Sequence, residues 1–490
     1  MKRKILIILA LTFLSCGIFF VQGCSSPKQE NLTTYNLDLE YDSDLHLLYG
    51  SEEVVYFNNY DNMFTSLYFH LYPNAFRADA KNKVVSSANQ SSAYPNGESY
   101  GQIEIKSVKV DGSEREIVVV GEDENILEID LNRELYPDEF VTIEIEFTVT
   151  LANINHRLGY GENTINFGNF YPIACVYESG KGFATNLYHS NGDPFYSEIA
   201  NYIVTIKYDQ KFDIASSGNL SLTQDGEKMR AEITGDKIRD FAFVLSEKFD
   251  KAQAQLDNTV ITYYGYQGDE NVKSNLEVSQ KAVEYFNQLL GTYPYTSLNI
   301  VKSNFIHGGM EYPNIVLISD HISAEDYAYV IVHEIAHQWW YGLVGNDEYN
   351  SAWIDEGLAE YCTLLFFDEY DEYGFDYSEM IENATASFKL FEKIFTDILG
   401  QVDTSMNRPL DKFNTEPEYV QCVYNKSVLM YDSIRQTVGN RKFKRTLAKI
   451  VKDYSYKNIS PQQLISAFCD GTGYNLEGYF NSWLEGKVII

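Results

Sequence analysis

The sequence predicts an α+β protein, with an all-β first half joined to a mainly helical second half that holds a small mixed sheet. Three observations predict it. Residues from about 31 to 250 alternate apolar and polar at period two. After "FAFVLSEKFD" the apolar spacing turns helical. Two short apolar runs, "LNIVKSN" and "NIVLIS", interrupt the helices as strands. With 490 residues and 44% hydrophobic content, the chain can fill more than one core.

In the first half, "GQIEIKSVKVDG", "FVTIEIEFTVTL" and "NYIVTIKYDQ" read as half-buried strands punctuated by turn dipeptides, and "SSANQSSAYPNGESYGQ" reads as a long loop. In the second half, "NVKSNLEVSQKAVEYFNQLLGTYPY" is a helix stopped at Gly291, with Pro294 beyond it. "SAEDYAYVIVHEIAHQWWYGLVG" starts at Ser323 as N-cap, with Asp326 completing a capping box, and is expected to end near Gly342 to Gly345. "AWIDEGLAEYCTLLFFDEY" is the next helix. The domain boundary is expected near residue 250, giving a β-domain over 36–250 and a mainly helical second domain over 251–490.

The first thirty residues have the layout of an export signal: Lys2, Arg3 and Lys4, then an apolar run from Ile5 to Val21. "VQGC" resembles the bacterial lipobox, so 1–23 is expected to be a cleaved signal, Cys24 the lipidated residue and 24–35 a tether. Cys16 is the rival position and a retained anchor helix the rival outcome. The expected location is outside the cytoplasm, tethered to the bacterial cell membrane. Cys175, Cys362, Cys422 and Cys469 fit no metal knuckle and read as buried free thiols. A formal charge of −32 excludes nucleic acid as a partner to expect.

The chemistry concentrates in "VIVHEIAHQWW". His333 and His337, four apart on a helix, project side by side and can both ligate one metal ion, with Glu334 beside it as general base. Read alone, the pair is equally a set of core histidines. Glu356, nineteen residues on in "WIDEGLAEY", supplies a third, carboxylate ligand. Two histidines, a carboxylate and one open position form the catalytic zinc arrangement, so one Zn²⁺ per chain is expected. Glu360, four residues after Glu356, is placed to orient a ligating histidine.

"HEIAH" with Glu356 resembles the gluzincins. Together with "HGGMEYP", "YFNQLLGTYPYTSLNIV", "EYVQCVYNKSVLMY" and "FNSWLEG", the chain resembles the M1 family of zinc aminopeptidases, strongly in its second half and loosely in its first. The resemblance implies a saddle-like β-domain followed by a thermolysin-like catalytic domain. It implies His333, His337 and Glu356 as zinc ligands, Glu334 as general base and Tyr424 as donor to the oxyanion, with Tyr419 the rival tyrosine. It implies Glu311 as the carboxylate that reads the free N-terminal ammonium, Gly308 and Gly309 as the close approach to substrate, and Met310 as a border of the first side-chain pocket. Glu416 is placed to add negative charge around the substrate amine. Tyr312 stands where that family's motif has Asn, which leaves the pocket's shape open. The chain closes at "FNSWLEGKVII", so a helical capping domain is not expected and the cleft should be open to peptides of varied length. The function expected is hydrolysis of the N-terminal bond of peptides. A thermolysin-type endopeptidase and a catalytically silent surface binding protein are the alternatives.

Overall fold

The alternating segments of the first half form sheets because each presents one apolar face. Thr34–Asp42, Leu47–Phe57 and Phe140–Thr150 bury every second residue along their length. The computed structural model describes residues 31–490, and Leu32–Ile490 form one compact unit. The expectations for the signal, Cys24 and most of the tether lie outside the described residues. No described helix is long and apolar enough to cross a membrane.

An eight-stranded sheet runs in the order Asn219–Asp225, Lys228–Ile238, Ala200–Asp209, Thr34–Asp42, Leu47–Phe57, Phe140–Thr150, Gln102–Val110 and Ser113–Glu114. Its neighbours are antiparallel except Thr34–Asp42 against Ala200–Asp209, which is parallel. Two four-stranded sheets and a two-stranded one, Tyr177–Glu178 with Gly182–Phe183, complete the β-rich half, whose core includes Tyr41, Phe167, Phe243 and Leu245. The low-apolar stretch expected as a loop holds one short helical turn, Gln90–Ala93, before the strand beginning at Gln102.

Phe249–Leu256 opens a five-stranded mixed sheet ordered with Thr259–Tyr266, Ser297–Ser303, Ile315–Ser319 and Gly309–Met310. The last of these is a two-residue edge strand, antiparallel to Ile315–Ser319. Helices cover this sheet and share a second core around Phe286, Ile331, Trp339, Trp353 and Leu365. The four described cysteines are free, three of them buried and Cys469 half-buried.

The histidine helix differs from expectation at both ends. Ser323 does cap, receiving the Asp326 amide at 3.2 Å, but it closes a preceding turn, and the α-helix spans Tyr327–Ala336. It stops several residues short of Gly342, with His337 at the C-cap. Gln338 and Trp339 donate to the carbonyls three residues back, which tightens the last turn, and the chain then reverses at Tyr341, whose φ is +121°. Such a backbone costs a tyrosine about 1–3 kcal/mol. The reversal is held from outside: the Arg239 guanidinium, buried at 1% exposure, donates Nε to the Tyr341 carbonyl at 2.8 Å. Arg239 also donates to the Ser197 carbonyl at 2.6 Å, the Lys457 carbonyl at 3.2 Å and Asn458 Oδ1 at 2.5 Å. Gly345 leaves room for it, since a Cβ there would lie 2.2 Å from the guanidinium carbon.

One arginine therefore satisfies acceptors from both halves of the chain. Arg239→Met should cost about 3 kcal/mol or more, because several buried acceptors lose their donor at once. Urea denaturation measures this, and an unchanged midpoint would remove Arg239 from its role at the seam.

Candidate active site

His333 lies in the last turn of its helix and His337 at its C-cap, while Glu356 sits in the first turn of Asp355–Glu369. The two helices pack in one apolar core, and this brings the three side chains together. His333 Nε2 and His337 Nε2 are 3.1 Å apart, and each lies 3.3 and 3.2 Å, respectively, from Glu356 Oε2. Donors about 2.0–2.1 Å from a tetrahedral ion sit about 3.3 Å from one another, so the triangle has the size of a zinc face. The outward ring nitrogens are already engaged. His337 Nδ1 donates to the Trp340 carbonyl at 2.8 Å, and His333 Nδ1 lies 2.8 Å from Glu360 Oε2. Both Nε2 lone pairs are thereby turned to the centre, so the donor set fits one zinc ion. Glu360 occupies its expected place and is itself held by the Tyr329 hydroxyl at 2.5 Å.

Glu334 is buried against the edge strand. Burial raises its carboxyl and the two histidines pull the other way, leaving it at about 7. A Cβ on Gly309 would lie 2.3 Å from Glu334 Oε1, so this glycine makes room for the Glu334 carboxyl, whereas Gly308 has only Val330 within reach. Burial would also raise the Glu356 carboxyl, but hydrogen bonds from His333 and His337 hold it well below the ordinary range. The Tyr424 hydroxyl donates to Glu356 Oε1, and Tyr424 rides on a single π-turn, Gln421–Asn425, of the kind often found at functional sites. Tyr419, the rival, is buried with its ring edge-on to Tyr424.

Glu311 follows the edge strand and is buried, with Oε1 lacking a hydrogen-bond partner. Its carboxyl is raised well above the usual range by burial and then by the negative charge of Asp193, Glu334 and Glu356. Asp193, Glu311 and Glu356 bring one oxygen each within 4.8 Å of one another, an arrangement that calls for a cation. Nothing in the local pattern around Asp193 marks it as a site residue. It lies in an ordinary "NGDP" turn of the β-rich half, steered by an ion pair with the buried Arg157.

One expectation is corrected. Met310 does not border the cleft: it is fully buried, with its sulfur 3.0 Å from Arg157 Nη1, because strand alternation turns it to the core when Gly309 and Glu311 face the other way. Glu416 lies outside the oxygen triad of Asp193, Glu311 and Glu356 but lines the same cleft. It stands on the cleft wall, accepting from Asn89 Nδ2 at 2.9 Å, with His307 Nδ1 3.9 Å away. Tyr312 points away from the cleft. Its hydroxyl donates to Asn169 Oδ1 at 2.6 Å, and Gly168 leaves the space for it. The pocket is therefore not filled by the tyrosine that replaces Asn.

The cleft encloses about 410 Å³ between both halves of the chain. His333, Glu334, His337, Glu356, Glu311, Asp193 and Tyr424 all line it, as does the backbone of Gly308 and Gly309.

Residues 274–483, which contain every one of these positions except Asp193, match the Peptidase family M1 domain. Aminopeptidase M1-A of Oryza sativa is 25% identical over 257 residues, covering 49% of this chain and 29% of that one. Endoplasmic reticulum aminopeptidase 2 of Homo sapiens is 26% identical over 226 residues, covering 42% and 22%. Aminopeptidase N of Lactobacillus helveticus is 23% identical over 304 residues, covering 58% and 36%. The chain thus spans about a third or less of these relatives' length. An M1 zinc metallopeptidase from Deinococcus radiodurans superposes with a TM-score of 0.64 at 16% identity, covering 94% of each chain. Aminopeptidase A of Legionella pneumophila gives 0.64 at 15% identity, covering 93% of this chain and 49% of that one. In sequence, residues 274–483 are similar to the M1 peptidase domain, and the described chain has the fold of two-domain M1 zinc metallopeptidases.

Proposed function

We propose that the chain is a zinc-dependent aminopeptidase that hydrolyses the first peptide bond of peptides with a free N-terminus. One observation carries the reading: Glu356 belongs both to the zinc-donor triangle and to the carboxylate group it forms with Asp193 and Glu311. The place suited to a metal and the place suited to an ammonium are therefore a single side chain apart, as cleavage after the first residue requires. A peptide lacking the free ammonium would bury those carboxylates without a counter-charge, and so is refused.

When bound, the zinc ion supplies Lewis-acid polarisation of the first peptide carbonyl and a water that ionises near neutral pH. His333, His337 and Glu356 hold it. Glu334 takes the proton from the attacking water and returns it to the leaving amine. Tyr424 donates its hydroxyl hydrogen to the developing oxyanion. Glu311 and Asp193 fix the ammonium, and the exposed edge at Gly308 and Gly309 pairs with the extended substrate backbone. Residues 36–250 act as the β-domain that contributes Asp193, and 251–490 as the catalytic domain. The chain works outside the cytoplasm, lipid-anchored through Cys24 to the bacterial cell membrane, a reading supported by the basic start, the apolar run and "VQGC".

Glu334→Gln should retain about one zinc per chain and lose about 10³-fold or more in kcat on aminoacyl coumarylamides. Wild-type turnover by that variant would end the proposal. Tyr424→Phe should lower kcat by about 10²- to 10³-fold with little change in KM. N-acetylated Leu-Gly-Gly should resist hydrolysis when the free tripeptide is cleaved, and cleavage of both would turn the assignment to an endopeptidase. Expressed in a bacterium with labelled palmitate, the chain should take up label that Cys24→Ala abolishes, and an unlabelled wild type would sink the anchor.

A further inference from the structure

Taking the aminopeptidase reading as its basis, we propose that Glu416 selects a cationic side chain, lysine or arginine, at the N-terminal residue of the substrate. Glu416 and Tyr419 are three apart on the short helix Glu416–Val420 and so share a face. Tyr419 packs on Gly192, where an added Cβ would lie 2.3 Å from its hydroxyl, and this places it beside Asp193 of the ammonium-holding group. Glu416 therefore lines the same cleft as Asp193 and Glu311 without belonging to their oxygen triad. A lysine or arginine side chain, a charged head on a flexible stem, can reach a carboxylate on the wall of that cleft when the α-ammonium is held by the triad.

The carboxylate is free to receive such a charge. Its near neighbours are the Asn89 amide at 2.9 Å and His307 at 3.9 Å. Burial and then the Arg157 charge push the His307 imidazole down to about 4, so it is neutral at pH 7 and gives Glu416 no counter-ion. Six carboxylates line the cleft against one guanidinium, Arg157, which already pairs with Asp193. Glu311 Oε1, buried in that lining without a hydrogen-bond partner, independently marks the cleft as built for a cationic ligand. Val330 and Val420 add apolar wall for the methylenes of a long stem, leaving the charged end for Glu416.

The test compares kcat/KM on coumarylamides of arginine against citrulline and of lysine against norleucine, pairs that match in length and differ in charge. The zinc-loaded wild type should prefer the charged member about tenfold or more, and the preference should shrink as salt rises from 50 to 500 mM. Glu416→Gln should bring both ratios close to one, and Glu416→Lys should raise glutamate relative to glutamine. Thermal melting checks that the variants are folded, and the wild-type charge and salt comparisons stand without them. Equal rates within each pair in the wild type, or ratios that survive Glu416→Gln, overturn the selection while leaving the aminopeptidase reading intact. Absence of hydrolysis of all four substrates overturns both.

Discussion

Two imidazole nitrogens held 3.1 Å apart in a protein interior, with a carboxylate oxygen at nearly the same distance from each, form a donor triangle of the size a zinc ion takes. The rest of the structure is organised around keeping it. The helix ends at His337 so that the ring's Nδ1 can find the Trp340 carbonyl, which is available because the chain leaves helical geometry there. The reversal that follows forces Tyr341 into an unfavourable backbone region, and a buried arginine from the β-rich half supports it. Helix terminus and the seam between the two halves are thus connected, because Arg239 of the β-rich half holds the turn that follows directly on the Trp340 carbonyl to which His337 donates.

The same logic explains how much the sequence could reveal. Period-two and helical spacing were legible because each records a local choice of buried face, and the histidine pair was legible because four residues on a helix fix two side chains without reference to anything else. Glu356 could be offered from its spacing on the next helix, whereas Tyr424 could be reached only through resemblance, since its distance from the histidines is set by helix packing. Asp193, Arg157 and Asn89 left no local mark at all. Each is an ordinary polar residue in a loop or turn of the β-rich half, and its role comes from which loop the fold lays against the cleft. The helix terminus differs from expectation because Gln338 to Tyr341 carry helix-compatible side chains, while the turn is closed by local backbone bonds and by long-range bonds of Gln338 to Tyr312, Trp339 to Gly291 and Arg239 to Tyr341.

The departures from the resembled motif have structural reasons of their own. Tyr312 in place of Asn does not reshape the pocket, because its side chain turns to the β-rich half and joins a buried chain of hydrogen bonds through Asn169 to Asp240. Asp355, beside the third ligand, accepts from Asn346 at 2.7 Å and lies among the buried carboxylates that raise Glu311 and Glu348. The acidity of the region therefore extends behind the ligands, and the histidines, the arginine and the metal are its counterweight. A buried excess of carboxylate destabilises an empty cleft and favours a cationic occupant, so local instability here translates into recognition.

Gly309 shows how closely recognition and catalysis are tied. It belongs to the edge strand that would pair with substrate, and its missing side chain is the space occupied by the Glu334 carboxyl. The separation between sheet edge and histidine helix is consequently set by a glycine packed on a glutamate, with no layer of side chains between them. Any residue larger than glycine there would push the strand and the Glu334 carboxyl apart, and under the proposed function this would displace the substrate's carbonyl from the proposed base. Placement to within a fraction of an ångström at such a centre comes from direct backbone-to-carboxyl contact, which tolerates no compensating rotamer.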